Sequence, residues 1–418
     1  MLYVGIDDTD SKMGMCTTYL AAVLAERLRP LGLQGYPRLI RLNPNIKYKT
    51  RGNAALCLTL NEGPIDEVEK MAVEAVEEYA MFEDGNTNPG IVIYQGEVPR
   101  EVRDFALRVV RDVVEIEEAA ELAEKHGMRV HRYKNGRGII GAIAAIGLEL
   151  YDYTYELLAY RRPENYGRPR YVKKESIYAM DAATYPDTWD TVDLYNGVIV
   201  FSPHTPDPVL YGIRGRDPEV LLKAQKMLES EPVERSQVFI TNQGTDMHLI
   251  PSTIAGARND RSYILRGFVS AEPYVIEGGH VFLEIEQAGS TIKCAAFEPT
   301  KNFRDIVKKL IKGDEVRVYG SVKSDTLNLE KLEVVRLAEH FKKIPPKCAS
   351  CGKSMESAGK DRGYRCRKCG ARQATPLYEK SIRGLEPGLY EVPPSARRHL
   401  AKQIIRIKEP WCRLHPSR

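Results

Sequence analysis

Three aspartates crowd the end of the first apolar stretch of this chain, Asp7, Asp8 and Asp10 in the run GIDDTD. Carboxylates this close repel one another and resist burial, so they belong in a solvated turn, at a helix N-terminus or around a cation. In the plain reading, Asp8 or Asp10 caps a helix beginning near Thr17. In the chemical reading, two or three of their oxygens hold Mg2+ as it bridges nucleotide phosphates. Two other stretches bear on the choice. KNGRGIIG sets Lys134, Asn135, Gly136, Arg137 and Gly138 ahead of a small-residue apolar helix, a setting in which backbone N–H groups can cradle phosphate. It is not the glycine-rich P-loop signature, and alone it reads equally well as a turn. NPNIKYKTRGNAA adds Lys47, Lys49 and Arg51 beside a Gly-Asn turn, again an anion contact or a solvated turn.

The cysteines carry a sharper message. Four of the eight follow the spacing Cys348-x2-Cys351-x14-Cys366-x2-Cys369, which is that of two knuckles giving four thiolates to one structural Zn2+. Gly352 and Gly370 follow the second cysteine of each pair, where the knuckle turns tightly. Cys16, Cys57, Cys294 and Cys412 are scattered and read as packing residues. This usage points to a metal site in a reducing compartment, not to a disulfide framework.

Elements must position these groups. Residues 2–6 read as a buried strand and 17–29 as an apolar-faced helix, so the aspartates sit in a strand-to-helix loop. Strands at 37–42, 54–60 and 91–94 and helices at 64–81 and 99–126 complete a first domain, 1–128, of α/β type. Residues 129–250 alternate strands and helices in the manner of a ferredoxin-like α+β layer, with 151–164 and 171–184 strand-like, and helices at 139–148 and 218–230. Residues 260–340 give five strands with one helix between the third and fourth, the order of an OB-fold barrel. The zinc ribbon and a basic amphipathic helix at 394–409 occupy 344–418.

Charge sorts these regions. Of 61 Lys+Arg and 57 Asp+Glu, 19 and 6 fall in residues 341–418, leaving 42 against 51 in the rest. A basic end on a mildly acidic body suits a polyanion. No apolar run reaches about 20 residues, the span of a bilayer, so no membrane partner is expected and the cytoplasm is the expected location.

GIDDTDS with CTTYLAA, NPNI and KTRGNAA, HRYKNGRGIIGA and PDPVLYGIRG, followed by the barrel and ribbon, resemble the archaeal tRNA 2-agmatinylcytidine synthetases, the TiaS family, over the full chain. The resemblance implies a kinase-like first domain and an ATP-dependent ligase. The reaction it implies attaches agmatine to C2 of the wobble cytidine in the minor isoleucine tRNA, whose anticodon is CAU, after phosphate activates the C2 oxygen. It implies ATP contacts at Lys134, Asn135, Gly136, Arg137, Gly138, Lys49 and Arg51, catalysis and Mg2+ binding at Asp7, Asp8 and Asp10, and a phosphate-acceptor role for Thr18. Agmatine, a dication, needs carboxylates and an apolar wall. Asp207 and Tyr211 are the candidates, with a proline-flanked turn as the alternative for Asp207. Two other classes compete: a nucleic-acid-binding adaptor, which leaves GIDDTD and KNGRG idle, and a small-molecule kinase, which leaves the basic end idle.

Overall fold

The computed structural model describes residues 1–50, 52–360 and 362–418. Its first unit comprises β1 (Leu2–Asp7), α1 (Thr17–Leu28), β2 (Arg38–Arg41), β3 (Ala54–Leu60), α2 (Ile65–Tyr79), β4 (Gly90–Gln95), α3 (Arg100–Arg111), α4 (Ile116–Lys125), β5 (Arg129–Arg132) and α5 (Gly138–Gly147). β1 runs between β3 and β4, antiparallel to both. Leu2, Val4 and Ile6 point to one face and are sealed by α1 and α2. On the other face α5 lies across the strands, and Gly5 lets it come close: a Cβ there would stand 2.3 Å from the Ala142 carbonyl oxygen. Residues 129–148, assigned from the sequence to the second domain, therefore pack with the first: β5 pairs with β4 and α5 covers β1. The helix expected over 99–126 is two helices, broken where Asp112 meets Arg261 at 2.5 Å.

The second unit comprises β6 (Thr154–Arg161), α6 (Lys174–Thr184), β7 (Thr188–Trp189), a small hairpin of β8 (Val192–Asp193) and β9 (Val198–Ile199), β10 (Val209–Gly215), α7 (Pro218–Lys226) and β11 (Val233–Thr241). The strand expectation at 171–184 is corrected. That segment is mostly helix, because Ile177, Met180, Asp181 and Thr184 are buried at helical spacing. The strand order is β11-β6-β10-β7, and β11 pairs in parallel with β2, at Ile240 against Arg38. One nine-stranded sheet thus runs through both units and fixes them to each other.

The next unit comprises β12 (Leu249–Pro251), β13 (Arg261–Val269), β14 (Tyr274–Val275), β15 (Val281–Gln287), β16 (Ser290–Ala296), α8 (Phe303–Val307), β17 (Glu315–Lys323) and β18 (Thr326–Arg336). β13, β15, β16, β18 and β17 pair in that order and β17 closes on β13, giving a five-stranded barrel. Short two- and three-stranded pieces then form the ribbon, whose buried core among the described residues is Cys348, Met355 and Cys366.

Residues 386–418 return to the barrel, where Gly388–Glu391 extends the sheet beside β18 and Leu414–His415 pairs beyond it. The basic helix expected at 394–409 is absent. Only 3-10 turns at Pro394–Ala396 and Ile404–Arg406 form there. The backbone instead bonds outward, Lys402 N–H to Asp246 at 2.7 Å and Ile404 N–H to Glu391 at 3.0 Å.

Candidate functional site: the aspartate corner and its surroundings

β1 ends on Asp7, whose side chain lies against α5. A Cβ on Gly141 would stand 2.0 Å from its Oδ2, so the glycine is required for the approach. Burial, and then the Asp8 carboxylate beside it, push Asp7 well above the usual carboxylate range. Asp8 takes a left-handed φ of 58°, which returns its carboxylate toward the KNGRG loop. There Arg137 donates to Asp8 Oδ2 at 2.8 Å. Burial still raises Asp8, with Arg137 and the Asn88 N–H opposing. Asp10 accepts from the Thr50 hydroxyl at 2.7 Å, and its carbonyl accepts from Thr87 at 2.7 Å. No side chain caps α1: its N-cap is Cys16, so the capping explanation of Asp8 and Asp10 fails.

The KNGRG loop closes over this corner. Asn135 Oδ1 accepts from the Arg137 N–H at 2.9 Å, and Gly136 turns with φ 73°. Gly138 N–H bonds the Asn88 carbonyl at 3.0 Å, and a Cβ on Gly138 would reach within 2.7 Å of the Asp7 carbonyl oxygen. Arg137 also donates to the Asn86 carbonyl at 2.8 Å and lies over the Tyr48 ring, 5.3 Å from its centroid. Lys134 gives its ammonium to the Asp84 carbonyl at 2.6 Å. Asn86, Thr87 and Asn88 thus frame the site, although the sequence reading did not single them out. The Asn/Gly density of DGNTNPG was the available signal, because such residues bond backbone in turns. Tyr48 and Thr50 lie within NPNIKYKTRGNAA, where the sequence reading picked out only the flanking cations.

The remaining expected residues engage other neighbours. Thr18 is buried on the first turn of α1, its hydroxyl 3.0 Å from Cys16 Sγ. Lys49 bonds the Pro44 carbonyl and senses Arg398 and Lys323, so it leans toward the barrel and tail. Arg51 lies outside the described residues. Asp207 is buried, receiving the Val209 N–H at 3.0 Å and Arg170 at 3.4 Å, beside a cavity of about 540 Å³. Tyr211 is a core residue, stacked on Phe201 at 5.3 Å between centroids.

The three aspartates do not converge as the cysteines do. Among the described residues, Cys348, Cys351, Cys366 and Cys369 bring their sulfurs within 4.8 Å of one another. The Cys348–Cys369 and Cys351–Cys366 separations are both 3.4 Å, near the roughly 3.7 Å edge of a tetrahedron with Zn–S bonds of about 2.3 Å. Residues 341–385 hold 12 Lys+Arg against 3 Asp+Glu, and 386–418 hold 7 against 3. The tail's cations are largely committed within the protein. Arg397 pairs with Asp190 and Glu391, Lys402 and Arg406 with Asp152, Arg413 with Glu386, and Arg418 with Asp181. The positive charge available to a polyanion is therefore concentrated on the ribbon.

Family models described as the TiaS TCKD domain match residues 3–67 and 61–135, the TiaS FLD domain residues 136–248, and the TiaS C-terminal zinc ribbon domain residues 345–385. The tRNA 2-agmatinylcytidine synthetase TiaS of Archaeoglobus fulgidus, named for the second isoleucine tRNA, is 51% identical over 97% of each chain. A crystal structure of TiaS in complex with that tRNA and ATP superposes with TM-score 0.92 at 50% identity, covering 100% of this chain and 99% of that one. A complex of TiaS with the same tRNA, AMPCPP and agmatine gives TM-score 0.88 at 47% identity, covering 100% and 99%.

Proposed function

The chain belongs to the TiaS family of tRNA 2-agmatinylcytidine synthetases, and from that premise we propose how its corner of aspartates works. The protein is an ATP-dependent ligase that attaches agmatine to the cytidine of the second isoleucine tRNA. In our reading the target is C2 of the wobble cytidine, so that the modified base pairs with adenine and AUA is read as isoleucine. The observation that carries the catalytic assignment is the Asp8–Arg137 bridge, which brings GIDDTD and KNGRG, 129 residues apart, to one place.

A carbonyl oxygen leaves poorly when an amine attacks, whereas a phosphate leaves well. Phosphorylating the C2 oxygen therefore opens the carbon to agmatine. Phosphoryl transfer demands positioned cations around the phosphates. Arg137 supplies one at Asp8, and the Gly136–Gly138 turn supplies backbone, with Lys134, Asn135, Lys49 and Arg51 completing the proposed nucleotide contacts. The raised Asp7 and Asp8 carboxylates fit a divalent ion, since a cation between them relieves both burial and mutual repulsion. Asp7, Asp8 and Asp10 would hold Mg2+, which supplies neutralisation of phosphate charge when bound. Thr18 is the proposed acceptor for a phosphoryl group from ATP.

The first unit is taken as kinase-like. The order β11-β6-β10-β7 with α6 and α7 supports a ferredoxin-like reading of the second. Asp207 and Tyr211 are our placement for agmatine, the Asp207 carboxylate being the counter-charge a dication needs. An anticodon-loop base can be splayed out for reaction, while the barrel and ribbon hold the rest of the tRNA. The enzyme is placed in the cytoplasm, where its tRNA is used. ATP consumption measured with and without the isoleucine tRNA and agmatine tests the assignment. Full turnover is expected only with both. Consumption indifferent to tRNA would indicate a small-molecule kinase, and none at all an adaptor.

A further inference from the structure

The chain between β2 and β3 forms neither helix nor strand among its described residues, so its course is set by what it touches. It leaves the sheet at Leu42 and returns at Asn53, where the Leu42 N–H bonds the Asn53 carbonyl at 3.0 Å. At its start the barrel holds it. Asn43 Nδ2 donates to the Asp260 carbonyl at 3.0 Å, and Asn45 Nδ2 donates to the Ser262 hydroxyl at 3.1 Å. The tail's Arg398 donates to Ser321 of β17 at 2.6 Å and lies 3.5 Å from Asn45 Oδ1. Further on, Thr50 donates to Asp10 Oδ1 at 2.7 Å. Two residues later Gly52 packs against Arg41 and the tail's His399. A Cβ there would collide with the Arg41 guanidinium and stand 3.4 Å from His399 Nε2. Arg41 Nη1 donates to the Gly52 carbonyl at a long 3.4 Å.

His399 is itself fixed. Its carbonyl accepts from the Gly244 N–H at 2.8 Å, and its Nδ1 stands 2.8 Å from Arg214 Nη2 and 3.1 Å from Gln243 Oε1. A guanidinium can only donate, so at the shorter contact Nδ1 accepts, and the ring proton sits on Nε2 beside Gly52. Burial and the charges of Arg41, Arg214 and Lys49 hold the ring well below the usual histidine range, so it stays neutral. Arg214 Nε also donates to Glu156 at 3.0 Å, and Glu156 Oε2 is 3.5 Å from the Arg41 guanidinium. Side chains from the first unit, the second unit and the tail thus make one bed under Gly52. Docking the tail does not require this ring, since Arg397, Lys402 and Arg406 already pair with Asp190, Glu391 and Asp152. We propose that His399 is a positioning residue of the aspartate corner: with Arg41 it fixes Gly52, and so the reach of Thr50 to Asp10. The proposal rests on the reading of that corner as catalytic. It makes the C-terminal tail part of the catalytic apparatus as well as a brace for the barrel.

The test measures kcat of the full-length enzyme with ATP, agmatine and the isoleucine tRNA all saturating. Thr50→Val and His399→Ala are each expected to lower kcat about tenfold, with tRNA affinity within about twofold of wild type. His399→Gln, whose amide reaches the place of Nε2, should recover most of the loss. The double variant carries the decision. If His399 acts through the loop that carries Thr50, removing both should cost about tenfold, as either does alone. A folding defect would act independently, giving about a hundredfold together with a lower melting temperature. That product, or His399→Ala turning over like wild type, overturns the proposal, and a slow Thr50→Val then leaves the reading of the corner intact. Wild-type turnover by Asp8→Ala would overturn the corner reading and the proposal with it.

Discussion

The aspartate corner and the zinc ribbon solve opposite problems. At the corner, charge is packed into a dense interior, where Gly5, Gly138 and Gly141 let α5 press onto β1. Burial raises Asp7 and Asp8 there, and Arg137 bridges to Asp8. The ribbon has almost no core, is tied by four cysteines, and carries 12 cations of which Arg367, Lys380 and Arg383 are drawn into ion pairs. Charge that must act on one atom is buried and oriented. Charge that must attract a polyanion is left in water on a stapled module.

The contrast can be broken at either end. Asp8→Ala removes the carboxylate that Arg137 grips, and turnover should fall about a thousandfold while tRNA affinity stays within about twofold, checked by single-turnover kinetics and filter binding. Cys366→Ser should release the Zn2+ and weaken tRNA binding on the order of tenfold to a hundredfold, with a shallower dependence on salt and ATP binding retained. An ATP-binding loss in that variant would mean the two regions are not separate.

The tail sharpens the comparison, because its basic residues behave like the corner and not like the ribbon. Arg397 is buried between Asp190 and Glu391, 2.9 Å from the latter, so Arg397→Ala should cost about 3–5 kcal/mol in unfolding free energy. A smaller effect is expected from pH. Glu330 is buried, which alone would raise it, but His248, Arg398 and Lys331 outweigh this and hold it at about 2 against an ordinary 4.5. A carboxyl lowered on folding stabilises fully above the ordinary value, so this contribution is lost as pH falls from about 4.5 to about 2. Loosening of the tail from the barrel in that window is measurable by hydrogen exchange, and Glu330→Gln should flatten it.

Local patterns in the sequence were reliable where local physics decides. The cysteine spacing placed the metal knuckles, and the alternating apolar stretches placed the barrel strands. GIDDTD and KNGRG were each legible only as a choice between a turn and a phosphate contact, and what the structure adds is that Arg137 bonds Asp8 between them. The misreadings arose where distant partners decide. Residues 394–409 have a helical pattern, yet Asp246 and Glu391 take the backbone donors a helix would have used. Residues 171–184 look strand-like from Tyr and Ile, but their burial follows a helix. The pairing of β2 with β11 joins Arg38 to Ile240 and left no trace that a single sequence could show.

The central claim is that the corner performs agmatine attachment and that the RNA-binding end only delivers the tRNA. It is tested most directly by nucleoside mass spectrometry of the isoleucine tRNA incubated with ATP, agmatine and either wild type or Asp8→Ala, with the tRNA saturating. The account predicts that the wobble cytidine gains the mass of agmatine less water with wild type and stays unmodified with Asp8→Ala. Equal modification by both proteins would contradict it.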